Sequence, residues 1–210
     1  MLPVIYLHGS SGLDSDSSQY YIKILTSIGY DVYAPDHNRT CDHQFGRCTR
    51  DLRYKSNSEK YLENIKKFQK VYKRVLDLRT DELNTLLRHF QKVILIGVSE
   101  GAMVVAQCKS PKIAQKVILS YPCEKTYFTS RKSNFNCPTL NLIGTKDEYF
   151  STKDSISSRV ASALNYSIRG HAPRSKAHVI IVRNATHDLV KTRKLRKKIY
   201  FELLSNLLRT

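Results

Sequence analysis

Lys92–Ala106 reads KVILIGVSEGAMVVA. An apolar, β-branched run ends at Gly97, a serine follows at 99, and a second glycine stands at 101. Val93–Val98 has the length of a buried strand, and Glu100–Lys109 the pattern of a helix. A strand that turns straight into a helix through G-x-S-x-G has two readings. Ser99 either caps the helix beginning at Glu100 with its hydroxyl, or is a nucleophile presented on a strained turn. In the second case the glycines are needed because side chains two residues away would collide with the turn. The five central residues do not choose between these readings, so the choice rests on the rest of the chain.

Short β-rich runs alternate with helical patterns throughout. The runs are PVIYLHG (3–9), DVYAP (31–35), KVILIGV (92–98), KVILSYP (116–122), PTLNLIG (138–144) and HVIIVRN (178–184). Helices are expected over Ser18–Ile28, Glu59–Phe90 with an interruption, Glu100–Lys109, Ser155–Leu164 and Asp188–Leu208. In the long one Tyr61, Ile65, Phe68, Tyr72 and Val75 fall at core-facing spacing. Near-continuous apolar strands separated by helices predict an α/β fold: a mainly parallel sheet of about six strands covered on both faces. No repeat, low-complexity tract or linker divides the sequence, so one domain over 1–210 is expected. In open sheets of this kind the ligand crevice lies at the carboxyl ends of the strands. His8–Gly12, Asp36–Arg53, Ser99, Asp147 and His187 all fall at such ends.

A serine hydroxyl attacks only when a base takes its proton. On a strand–elbow–helix scaffold the order is serine, then an acid, then histidine. The strand PTLNLIG is followed by GTKDEYF, which offers Asp147 with Glu148 as its rival. The strand HVIIVRN is followed by THDLV, which offers His187. Asp147 would orient the imidazole and His187 would carry the proton. Negative charge developing on the substrate oxygen requires two N–H donors. The backbone amide of Glu100 and that of Ser10, in LHGSSG, are the candidates. His8 is read as a positioning or substrate-contacting residue, and Asp36 and Arg39 as substrate contacts. The Glu100 carboxylate is expected to serve as a helix-start acid, with Arg39 or loop residues as partners to consider.

The 210 residues carry a formal charge of +17, which favours anionic ligands or surfaces. The densest run, KTRKLRKK at Lys191–Lys198, lies on an amphipathic helix whose basic face is expected to be solvated. No RNA-binding or helix-turn-helix signature appears, so nucleic acid is not an expected specific partner. No apolar run approaches the roughly 20 residues of a membrane span, and LPVIYLHG opens without a secretory signal. A cytoplasmic location is the resulting expectation. The five cysteines include no CxxC pair, so neither a metal nor another cofactor is expected. Cys41 with Cys48, and Cys123 with Cys137, are the pairs to consider for disulfides in an exported protein.

YLHGSSG, GVSEGA, LIGTKDEYF and NATHDL, in that order, resemble the α/β-hydrolase superfamily. In its small layout the chain is similar to dienelactone hydrolases and related small carboxylesterases. The resemblance implies a three-layer fold without a lid domain and a serine hydrolase with nucleophile Ser99, acid Asp147 and base His187. It also implies oxyanion donors at Ser10 and Glu100, and a small-molecule or acyl ester as substrate. It departs from the dienelactone hydrolases at residue 99, where that family typically carries cysteine.

Overall fold

The computed structural model describes residues 1–37, 58–126, 129, 131–151, 155–164 and 167–207. Its strands are β1 (Val4–Leu7), β2 (Val32–Tyr33), β3 (Val93–Val98), β4 (Ile113–Leu119), β5 (Thr139–Gly144) and β6 (His178–Val182). They form one six-stranded sheet in the order β2-β1-β3-β4-β5-β6, with every pair parallel. The described helices are α1 (Asp16–Ser27), α2 (Ser58–Leu87), α3 (Glu100–Gln107), α4 (Ile156–Ala163) and α5 (Arg193–Leu207).

The near-continuous apolar strands make sense once both faces are covered, because successive side chains then alternate between two cores. Val93 and Leu95 enter one cluster with Leu76 and Leu83 of α2, Val104 of α3 and Val160 of α4. Ile94 and Ile96 enter the other with Leu25 of α1 and Leu203 of α5. The result is a three-layer α/β arrangement. Chain order reverses direction across the sheet between β1 and β3, so the loops leaving these strands diverge and open a crevice at their carboxyl ends. Among the described residues between β4 and β5, none is helical.

Several boundaries differ from the sequence reading. β4 begins at Ile113 rather than Lys116, because Lys116 is fully buried in mid-strand. Its ammonium donates to the Cys108 and Asn134 carbonyls at 2.6 and 2.9 Å, and burial lowers its pKa. α5 starts at Arg193, not near Asp188. The long helix is not interrupted. It has no proline or glycine, and its buried stripe runs through Ile65, Tyr72, Leu76, Arg79, Leu83 and Leu87. The polar residue within that stripe is Arg79. Of the expected core positions on α2, the side chains of Tyr61 and Phe68 lie outside the description.

Cys123 and Cys137 are free thiols, so that disulfide is not formed; Cys41 and Cys48 lie outside the described residues. On α5, Lys194, Lys197 and Lys198 face solvent. Among the described residues no helix is long and apolar enough to cross a membrane.

Candidate active site

Ser99 sits between β3 and α3 with φ 53° and ψ −111°. Left-handed backbone at a residue other than glycine is costly, about 1–3 kcal/mol, and persists only where its surroundings impose it. Here they do. A Cβ on Gly101 would lie 2.1 Å from the Leu7 carbonyl oxygen, and one on Gly97 2.6 Å from the Gly101 backbone. The turn therefore closes only with glycine at both places. The Ser99 N–H continues the sheet by donating to the Leu119 carbonyl at 2.9 Å. Its hydroxyl makes no cap to α3, which removes the capping reading.

That hydroxyl lies 2.8 Å from Nε2 of His187, whose Nδ1 lies 2.9 Å from Oδ2 of Asp147. Asp147 is completely buried, and its other oxygen accepts the backbone N–H groups of Tyr149 and Phe150 at 2.9 and 3.1 Å. An ionised carboxylate only accepts, so Nδ1 carries a hydrogen toward Asp147 and leaves the Nε2 lone pair facing Ser99. Tyr149 packs edge-on against the imidazole at 4.6 Å between ring centroids. The Ser120 hydroxyl donates to the His187 carbonyl at 2.6 Å and fixes the backbone of that loop. Glu148, the rival acid, accepts the His187 backbone N–H at 3.2 Å and has no recorded bond to the ring. Such a chain of groups can draw a proton from the serine as it attacks an electrophilic carbonyl.

The loop after β1 approaches the elbow from the other side. The Gly9 carbonyl accepts from Nδ1 of His8 at 2.6 Å and from the Gly12 N–H at 3.2 Å. That carbonyl shares a planar trans peptide with the Ser10 N–H, so holding one aims the other in the opposite direction. His8 is completely buried, which corrects the reading of its side chain as a substrate contact. Its Nε2 accepts the His37 backbone N–H at 3.1 Å, so the ring is neutral with its hydrogen on Nδ1. Burial, reinforced by the nearby Arg79 charge, holds its pKa below the usual histidine value. Asp36 lies 3.8 Å from the same nitrogen and is partly exposed. Arg39 lies outside the described residues.

Glu100 stands in the first turn of α3, as expected of a helix-start acid, and its side-chain partners lie on α2. It is 7% exposed, and the Arg79 guanidinium donates to one of its carboxylate oxygens. The Tyr72 hydroxyl donates to the other at 2.6 Å. Arg79 also donates through its second terminal nitrogen to the His8 carbonyl at 2.5 Å. The sequence reading missed this arginine and Tyr72's polar role. The available signal was a cation standing in register with the apolar stripe of a long helix, four residues before Leu83 and three after Leu76. A further pair, His37 with Glu82 of α2, sits beside the same loop. Burial first, and the Arg79 charge second, push the His37 pKa down to about 4 against the opposing pull of Glu82. Among the described residues no cluster of histidine, cysteine and acidic side chains could hold a metal ion.

Neither a protein-family profile nor a curated protein sequence matches the chain. Solved structures do. A protein assigned to the alpha/beta hydrolase superfamily from Xanthomonas campestris pv. campestris superposes with a TM-score of 0.58 at 19% identity, covering 98% of each chain. Mouse alpha/beta hydrolase domain-containing protein 10 matches with a TM-score of 0.54 at 12% identity over 99% of this chain and 90% of its own. Esterase PE8 matches with a TM-score of 0.53 at 14% identity, over 97% and 92%.

Proposed function

Starting from the α/β-hydrolase fold that this chain shares with those structures, we propose that it is a serine hydrolase cleaving carboxylic esters or thioesters. The observation that carries the reading is the unbroken contact from the Ser99 hydroxyl through His187 to buried Asp147, at 2.8 and 2.9 Å. Its partner is the positive φ that turns this serine out of the strand end. The likeness to esterase PE8 agrees with ester chemistry. The layout also suits the small carboxylesterases and dienelactone-hydrolase-like enzymes, with serine in place of cysteine.

In the first half-reaction the Ser99 oxygen bonds to the substrate carbonyl carbon while its proton passes to Nε2 of His187. The carbonyl π-electrons move onto oxygen, and the Ser10 and Glu100 amides receive the resulting charge. Collapse of the intermediate expels the alcohol or thiol, which takes the proton back from His187, and leaves an acyl-serine. Water then repeats the sequence, with His187 again accepting a proton, and releases the acid. Positioned proton transfer contributes about 10²–10⁴-fold, and each oxyanion donor about 10²–10³-fold. Asp147 holds the imidazole in the tautomer that lets Nε2 accept. Pinning of the Gly9 carbonyl by His8 and Gly12 fits the need for a donor already aimed when charge appears.

The test is labelling by a fluorophosphonate probe, alongside turnover of p-nitrophenyl esters of graded length and an acyl-thioester. Labelling that disappears in Ser99→Ala and falls sharply in His187→Ala is expected. A folded wild-type protein that takes no label and turns over none of these substrates refutes the reading.

A further inference from the structure

We propose that Arg79 is a positioning residue, holding the two chain segments that carry the oxyanion donors in one fixed relation. The inference rests on the serine-hydrolase reading and deepens it. One donor, the Ser10 amide, hangs on the loop after β1; the other, the Glu100 amide, opens α3. These segments are about 90 residues apart in sequence, and nothing covalent sets their spacing near the site. Arg79 reaches both, donating to the His8 carbonyl at 2.5 Å and to the Glu100 carboxylate.

A guanidinium suits this task because its terminal nitrogens lie in one rigid plane, so two acceptors bound to it are fixed relative to each other. The Tyr72 hydroxyl secures the second Glu100 oxygen at 2.6 Å, which stops the carboxylate from swinging. The group is shut away from water: His8 is 0%, Arg79 1% and Tyr72 2% exposed. Stability is a weak reason for such a pair. Taking two charges out of water offsets most of their attraction, and well-packed apolar replacements are often as stable or more so. Geometry is the stronger reason. Donors stabilise an oxyanion well only if they are aligned beforehand, and a displacement near 1 Å can cost about 10²-fold in rate.

The experiment compares wild type with the neutral double variant Arg79→Met/Glu100→Gln and with Arg79→Lys. The double variant leaves no unpaired buried charge and keeps an acceptor for Tyr72. Arg79→Lys keeps the charge but loses the fork. For each, kcat and KM on a p-nitrophenyl ester, inhibition by a boronic acid that forms a tetrahedral adduct on Ser99, and melting temperature are measured. Both variants are expected to lose about 10- to 100-fold in kcat with KM within twofold. The boronate inhibition constant should rise by the factor by which kcat/KM falls. If either folded variant keeps kcat and boronate affinity within twofold of wild type, the arginine is only structural and the proposal falls. A rise in KM at constant kcat overturns it as well. Failure of the underlying reading is separate, because wild type itself would then show neither turnover nor boronate binding.

Discussion

Replacing Asp147 by asparagine removes one charge and one acceptor while keeping the shape of the side chain. The consequence can be worked out from its three side-chain contacts. Oδ1 accepts two backbone N–H groups, from Tyr149 and Phe150. An asparagine at 147 must therefore place its carbonyl oxygen there, since its amide nitrogen would set donors against donors. The amide NH₂ is then left facing Nδ1 of His187, where Oδ2 stood at 2.9 Å. To accept from it, the imidazole must move its hydrogen to Nε2, and Nε2 can no longer take the Ser99 proton. Enforcement of the wrong tautomer lowers kcat by about 10⁴ in serine triads, equivalent to about 5 kcal/mol of transition-state stabilisation. The fold should tolerate the change, because both backbone bonds survive. The assay is kcat on a p-nitrophenyl ester, with thermal melting as the control for folding. A folded Asp147→Asn protein that loses less than tenfold in kcat refutes the argument. So does Glu148→Gln proving the more damaging of the two, since that carboxylate accepts from the His187 backbone and not from its ring.

Two further outcomes are expected. Gly101→Ala should disrupt the elbow, because its Cβ would lie 2.1 Å from the Leu7 oxygen and 2.7 Å from the His8 oxygen, both backbone atoms that cannot step aside. A loss above about 3 kcal/mol in denaturant unfolding is expected, beyond the ordinary range for a single substitution. Stability should also fall on acidification. With its pKa lowered from 6.5 to about 4, buried His37 is neutral in the fold while the unfolded chain takes up a proton, so the loss begins below pH 6.5 and levels off near pH 4. His37→Gln should flatten the pH dependence of unfolding in that window.

The fold and the serine–histidine–acid group were readable because each depends on local order along the chain. Apolar runs of strand length imposed the sheet. Ser99, Asp147 and His187 each follow a strand end by a few residues, and strand ends on one edge of a parallel sheet meet. Burial of charge was not readable, because it depends on partners far away in sequence. Lys116 looked like a strand boundary and is a mid-strand residue whose ammonium meets carbonyls from two connecting segments. Arg79 drew no reading at all and is a buried member of the helix stripe, matched by a carboxylate on another helix. Glu100 was legible as a helix-start acid, but the dipole of its own helix gave no hint of the partners on α2. His8 was legible as part of a turn, but its burial was not, because residue 37, which packs against it, comes from a distant part of the chain.

The backbone at residue 99 also limits which side chains can stand there. At φ 53° a residue tolerates a single heavy substituent on Cβ far better than two, and β-branched side chains are the rarest occupants of that region. Hydroxyl and thiol meet the condition alike, and threonine does not. A change from hydroxyl to thiol at this position is therefore open to the architecture by a single substitution, whereas a β-branched alcohol is strongly disfavoured by stereochemistry.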